Sequence, residues 1–196
     1  MKKIILFLLM CTVVISADAQ KKKDAEVPAE PLNELGAYER KIVVQVPGVS
    51  AADLYVRALE VLSDIKGSNA KSSAQIDVQD KDAGLVIYKG KVYEGFECYS
   101  KLLGYGWDAY ADYTLRIKCK DEKAQLTMNV ETMTFDYNAS PSTHTVLLQD
   151  LVPYNYKGRY NIKKVAKKYA PAVAPSMDNL LKIISSKIKQ GTDDDF

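Results

Sequence analysis

Two carboxylates, Asp112 and Glu131, have a spacing that invites a chemical reading. If Lys120-Asp121-Glu122-Lys123 is a tight reversal with Asp121 and Glu122 at its tip, they stand directly opposite each other on the exposed side of a hairpin. Like charges so placed cost stability unless a cation, an arginine or a proton intervenes. Calcium favours such oxygen clusters but needs more ligands than two. The plain alternatives are a bulge, a shifted register, or solvated side chains that splay apart. A pair of acids is also the minimum machinery for glycoside hydrolysis. A carboxylate-dependent hydrolase of a glycan or peptide is therefore the alternative function.

Tyrosine is the other skew, with 13 residues against four Phe and one Trp. Between Tyr88 and Tyr113 lie Tyr93, Phe96, Tyr99, Tyr105, Trp107 and Tyr110. A tyrosine joins an apolar body to a polar tip, which suits sugars, peptides and partner proteins, although half-buried tyrosines also simply pack strand edges. The candidate binding residues are Tyr99, Tyr105, Trp107, Tyr110, Asp112, Arg116 and Glu131, with Trp107 and Arg116 as the expected anchors. The leading reading is a non-enzymatic binding or interaction module. Its partner would be an envelope protein, a peptide or a glycan.

Enzyme signatures are otherwise missing: no Gly-x-Ser-x-Gly elbow, no phosphate loop and no His-Glu-x-x-His. The one histidine, His144, follows the polar stretch Ser140-Pro141-Ser142-Thr143 and is expected in a surface loop. With so few nitrogen and sulfur ligands, no metal or other cofactor is expected. Lys163, Lys164, Lys167 and Lys168 could meet an anionic membrane, but their helix is short and has no Trp or Phe to insert, so a solvated face is expected.

The N-terminus supplies the destination. Lys2 and Lys3 precede the apolar run Ile4 to Ile15, and Ala17-Asp18-Ala19 gives the small-x-small pattern of signal peptidase. Residues 1–19 read as a signal peptide and the protein as exported, periplasmic or extracellular. A lipid anchor on Cys11 is the lesser alternative, because Met10 is too large for the position before a lipidated cysteine. No later run is long enough to span a membrane as a helix. The whole chain carries 27 basic and 25 acidic residues, a balance that argues against a nucleic-acid partner. Cys98 and Cys119 are the cysteines left after the signal, and both are expected as free, buried thiols.

Positioning these groups requires a sheet. Residues 20–37 read as a flexible linker, 38–190 as a single α+β domain and 191–196 as an acidic tail. Ile42, Val44 and Val46 share one strand face, and Ser50 followed by Asp53 opens a helix to about Ile65. Strands follow around Ile76–Gln79 and Leu85–Tyr93, with Gly90 marking a bulge or bend. Then Ala109, Ala111, Tyr113, Leu115, Ile117 and Cys119 alternate with polar residues, and Ala124 to Val130 continue the apolar face after the reversal. Residues 138–171 are harder to read: a short strand within His144–Val152 and two helical turns from Ile162 are expected. A second amphipathic helix follows Pro175 and ends at Gly191. The order strand, helix, four strands, helix predicts a curved antiparallel sheet with the helices on one face.

The opening Ile42-Val43-Val44-Gln45-Val46-Pro47-Gly48-Val49-Ser50, the helix through Leu54-Tyr55-Val56-Arg57-Ala58-Leu59 and the Tyr113-to-Val130 hairpin resemble a secreted bacterial family of unknown function with a TATA-binding-protein-like fold. The resemblance covers roughly Tyr38 to Thr132, with the C-terminal helix completing the fold. It implies a curved sheet backed by helices. It carries no catalytic residue, and a fold name implies nothing about DNA.

The mature protein is expected to begin at Gln20, and the intact mass of the exported protein checks this. A lipid adduct on Cys11 would establish the anchored form instead.

Overall fold

A sheet whose side chains alternate apolar and polar needs cover on one side only, and this chain supplies that cover with helices. The structure is a computed structural model that describes residues 32–68, 74–152, 157–158 and 160–191. The signal segment, the linker up to residue 31 and the tail from 192 lie outside the described residues. The elements run β1 (Tyr38–Gln45), α1 (Ala51–Ser68), β2 (Ala74–Asp80), β3 (Leu85–Ser100), β4 (Tyr105–Lys120), β5 (Lys123–Tyr137), β6 (Ser142–Leu147) and α2 (Leu148–Leu151). After these come α3 (Tyr160–Tyr169), a 3-10 turn at Ala170–Ala172, and α4 (Val173–Gln190). The six strands form one antiparallel sheet in the order β1-β5-β4-β3-β2, with β6 also paired to β5. The expected α+β architecture is correct; the short strand expected within His144–Val152 is β6, which begins two residues earlier, the helical turns expected from Ile162 are α3, and α2 is an addition.

The β4–β5 hairpin is the spine, with strands of 16 and 15 residues, about 50 Å long at the usual rise. Its reversal is at Asp121 and Glu122, as the sequence predicts, with Lys120 paired to Lys123. Glu122 adopts φ 63°, a strained conformation for a side chain with a Cβ. It is held there because its carbonyl accepts from the Val46 amide at 2.7 Å, its amide donates to Val49 at 2.9 Å, and its carboxylate accepts from Gly48. Asp121 accepts from the Ala51 amide at 2.9 Å, so the hairpin tip caps α1 from outside. Ser50 caps the same helix from within, accepting from the Asp53 amide and donating to the Asp53 carboxylate.

The register holds only as far as Tyr113 opposite Val130. A bulge at Glu131 then places Asp112 opposite Thr132, so the expected Asp112–Glu131 pair does not form. The bulge changes which parity faces inward. Leu126, Met128 and Val130 are buried before it, Met133 and Phe135 after it. It also divides the outer edge of β5. β1 pairs with residues 123–130 and β6 with 132–137.

Three further expectations change. Gly90 sits in regular register opposite Tyr113. Its missing Cβ leaves room for the Tyr113 ring, which would otherwise lie 2.7 Å away. β3 runs on past Tyr93 to Ser100, and its bulges fall between Tyr93 and Gly95 and between Cys98 and Ser100. Residues 32–37, expected as the end of a flexible linker, are held in place: Asn33 Oδ1 accepts from the Leu35 and Ala37 amides, and Leu32 packs on the core. Both thiols are free, as expected, but Cys98 is only half-buried. It pairs with Gly106, and Cys119 lies more than a dozen β4 residues away, about 40 Å, which rules out a disulfide. Burial pushes the Cys119 thiol up to about 11, so it packs as an inert apolar group.

The helices cover one face. Arg40 and Tyr38 both donate to Asp178 of α4, and Lys187 of α4 pairs with Asp64 of α1 at 2.9 Å. Leu115 and Leu126 are fully buried beneath this cover. Truncating either to Ala is expected to cost about 2–5 kcal/mol in urea unfolding. Thr114→Ala and Thr127→Ala, on the opposite face, are expected to cost about 0.5 kcal/mol or less. Equal losses would reverse the facing.

Candidate functional site

The face of the sheet away from the helices is lined by the polar half of each alternating strand. Midway along it is a shallow depression of about 420 Å³. β2 contributes Ala74 and Gln75, β3 contributes Lys89, Gly90 and Lys91, β4 contributes Asp112, Tyr113 and Thr114, and β5 contributes Asn129, Glu131 and Thr132. Its floor is tied together. Asp112 Oδ2 accepts from Thr132 at 2.9 Å and from Thr134 at 2.7 Å, and Lys91 lies 3.2 Å from Asp112 Oδ1. Lys91 also donates to Thr134, whose hydroxyl meets that of Thr145 on β6 at 3.2 Å. Asp112 is therefore a carboxylate held by two hydroxyls and a lysine rather than one awaiting a metal. Among the described residues no group of three or more His, Cys, Asp or Glu side chains could hold a metal ion.

The seven residues singled out by sequence separate into three places. Asp112 and Glu131 line the depression, not opposite each other but one register step apart. Arg116 is exposed on the same face, further toward the hairpin tip. Tyr110 is on this face too, but it is only 8% exposed because the Tyr93 ring lies against it at 5.5 Å. Tyr99 and Tyr105 flank the β3–β4 turn, and Tyr105 is about 23 Å along the strand from Asp112.

Trp107 is on the other face. It is 5% exposed and packed at 5.0 Å against Tyr137 and 5.4 Å against His144. It is a core residue, so its truncation would empty packing space instead of removing an exposed anchor. His144 is likewise not in a loop: it sits on β6 opposite Phe135.

An opposed acid pair does occur one step beyond Tyr110, where Asp108 faces Asp136 across β4 and β5. The Tyr93 hydroxyl hydrogen-bonds to Asp108. Toward the hairpin tip the same face carries Lys118, Lys120 and Lys123 around a second hollow. The open face thus runs from basic, through mixed, to acidic.

On the helix side, α3 and α4 clamp the far end of β3. Gly95 has φ 149°, and the Tyr169 ring occupies the space where a Cβ would stand, with its hydroxyl donating to Phe96 at 2.8 Å. Lys168 and Lys164 hold the Glu97 carboxyl below its usual range. Glu94, at the bulge, differs: Ser176 donates to its Oε2 at 2.9 Å, and its buried Oε1 has no hydrogen-bond partner. Burial pushes its carboxyl up to about 7, against the smaller lowering effect of Ser176.

Residues 41–132 match the family described as a domain of unknown function (DUF4468) with a TBP-like fold. The match ends where β5 passes its bulge. A DUF4468 family protein from Bacteroides ovatus ATCC 8483 superposes with a TM-score of 0.56 at 16% identity, covering 88% of this chain and 94% of that one. A TBP-like protein from Parabacteroides distasonis ATCC 8503 gives 0.56 at 15% identity, covering 82% and 97%. At such identities the likeness is one of fold. No curated protein matches the chain. In the matched segment, the residues that sequence reasoning missed include Gln75, Lys89, Lys91 and Thr132. They carry no motif, and the depression exists only because four strands bring its lining together.

Glu94 generates a pH prediction. An unfolded Glu ionises near pH 4.5, whereas the folded one holds its proton to about 7. Wild-type stability should therefore fall as pH rises between these values and level off above them, by up to about 3 kcal/mol. Glu94→Gln should match wild type below pH 4.5 and exceed it increasingly up to pH 7 in thermal denaturation. A pH-independent difference would show that Glu94 is ionised in the fold.

Proposed function

We propose that the protein is a non-enzymatic, exported binding module of the cell envelope, and that the open-face depression holds its ligand. The observation that carries this reading is the ordered floor around Asp112. Lys91, Thr132 and Thr134 fix it before any ligand arrives, so little ordering entropy opposes binding. The rim offers Lys89, which pairs with Asp77 at 2.9 Å, an anion at Glu131 and amides at Gln75 and Asn129. Such a mixed rim suits the hydroxyls of a glycan or the amides of an extended peptide, whereas nucleic acid calls for a uniformly basic surface. Export rests on the N-terminal sequence, Lys2 to Ala19.

The competing reading, a carboxylate-dependent hydrolase of a glycan or peptide, is favoured by the opposed Asp108 and Asp136. Against it, the carboxyl best able to keep a proton near neutrality, Glu94, faces α4 rather than the depression.

Panning immobilised glycan and peptide libraries tests the choice. Ligands recovered on the wild-type protein should bind about tenfold or more weakly to Lys89→Ala, Glu131→Ala and the space-filling Thr114→Trp variants, with unchanged thermal stability. Ligands held equally by Thr114→Trp would place the site elsewhere. Turnover of a ligand that disappears in Asp108→Asn would establish the hydrolase.

A further inference from the structure

The β3–β4 hairpin ends in an apolar tip that the fold leaves uncovered. Leu102 is 94% exposed and Leu103 60%, flanked by Tyr99 at 38% and Tyr105 at 41%. The tip is braced rather than loose. The Leu103 and Gly104 amides donate to the Ser100 carbonyl, and Asn138 donates to the Gly104 carbonyl while accepting from the Gly106 amide. Folding therefore fixes two leucines in water at the end of a rigid arm, the kind of exposed apolar patch that marks an interaction site.

Basic residues flank the tip on the helix side, opposite the Asp108 and Asp136 of the open face. Lys101 is in the turn itself, and α3 lies beside the last residues of β3, with Lys164 3.1 Å from Glu97 and 6.0 Å from the Tyr99 ring centre. Lys168 meets the same carboxylate, so Glu97 is already neutralised from within. Lys163 and Lys167 are exposed on the same helix. Lysines alone could mean a solvated helix face. Here the apolar group that α3 itself lacks is supplied by a different element beside it.

We propose that this tip docks the protein on an anionic lipid surface. Leu102 and Leu103 enter the boundary between headgroups and acyl chains, Tyr99 and Tyr105 sit at headgroup level, and Lys101 with the α3 lysines meets the phosphates. Charge complementarity selects this occupant over an apolar protein groove, which would have to bury the lysines as well. The inference is independent of what the open face binds.

The expected mature form, from Gln20, lacks the apolar segment Ile4 to Ile15, so with that form the test reads the tip directly. Leu103→Trp should be quenched by brominated lipid in mixed phosphatidylethanolamine–phosphatidylglycerol vesicles, while the buried Trp107 of the wild type is not. Sedimentation with the same vesicles should fall about tenfold or more in Leu102→Ser/Leu103→Ser, with unchanged thermal stability. It should fall about fivefold for each of Lys163→Gln and Lys167→Gln, and it should weaken with salt. An unquenched Leu103→Trp, or equal quenching by phosphatidylcholine vesicles, would overturn the proposal. So would a wild-type dimer that Leu102→Ser/Leu103→Ser dissociates, because a second copy would then be the cover.

Discussion

One extra residue in β5 carries the geometry of the domain. β5 must bury Leu126, Met128 and Val130 near the hairpin tip and Met133 and Phe135 beyond it, and a regular strand cannot do both because the two sets differ in parity. Without the bulge at Glu131, Met133 and Phe135 would turn to water, forfeiting roughly 1.5–3 kcal/mol each. The bulge also marks the point where β1 leaves the β5 edge and β6 takes it up. It brings Thr132 opposite Asp112, with Thr134 next on the same face, which supplies the two hydroxyls that order the floor of the depression. Core packing, edge sharing and the polar network are thus three consequences of one register step.

β4 is the strand that keeps its alternation throughout, and both its neighbours are bulged close to the same level. β3 breaks between Tyr93 and Gly95, opposite Tyr110 and Ala109, and β5 breaks opposite Asp112 and Tyr113. Bulges add twist and bend, so the sheet curves where the two breaks flank an unbroken spine. On the helix side that level is where Ser176 meets Glu94, and on the open side it is where Lys91 meets Asp112. Burial favours the protonated form of Glu94 there, and the Ser176 hydroxyl of α4 only partly offsets it.

Much of this was legible from alternation alone, and the errors trace to places where alternation was set aside. The parity change from Val130 to Met133 is visible in the sequence, but extending one pairing rule past it put Glu131 opposite Asp112. Trp107 shares the parity of Ala109 and Ala111, which places it inward, and its place in the aromatic-rich segment is no sign of a surface anchor. Gly90 suggested a bend because a glycine weakens a strand, and the cause is instead the Tyr113 ring of the next strand. The stretch 138–171 resisted reading because β6 and α2 are short and owe their structure to β5, not to local pattern. The seating of α3 against Glu97 joins positions far apart in sequence, and no local pattern encodes it.

The polar face follows from the same logic of division. A core that takes every apolar parity leaves the charges to the other side, and their order along β4 is then fixed by sequence: Lys118 and Lys120 toward the reversal, Asp112 in the middle, Asp108 at the far end. Lys123 reinforces the first end and Asp136 the last, because a hairpin pairs each position with its counterpart across the turn. The basic end is exposed to water, whereas at the acidic end Tyr93 hydrogen-bonds to Asp108 and one buried oxygen each of Asp108 and Asp136 has no hydrogen-bond partner. In the centre the two signs meet, and Lys91 and Asp112 form an ion pair at 3.2 Å. A ligand on this face would therefore be oriented by the ends and gripped at the centre, a division of labour expected when charges steer an encounter and hydrogen bonds fix it.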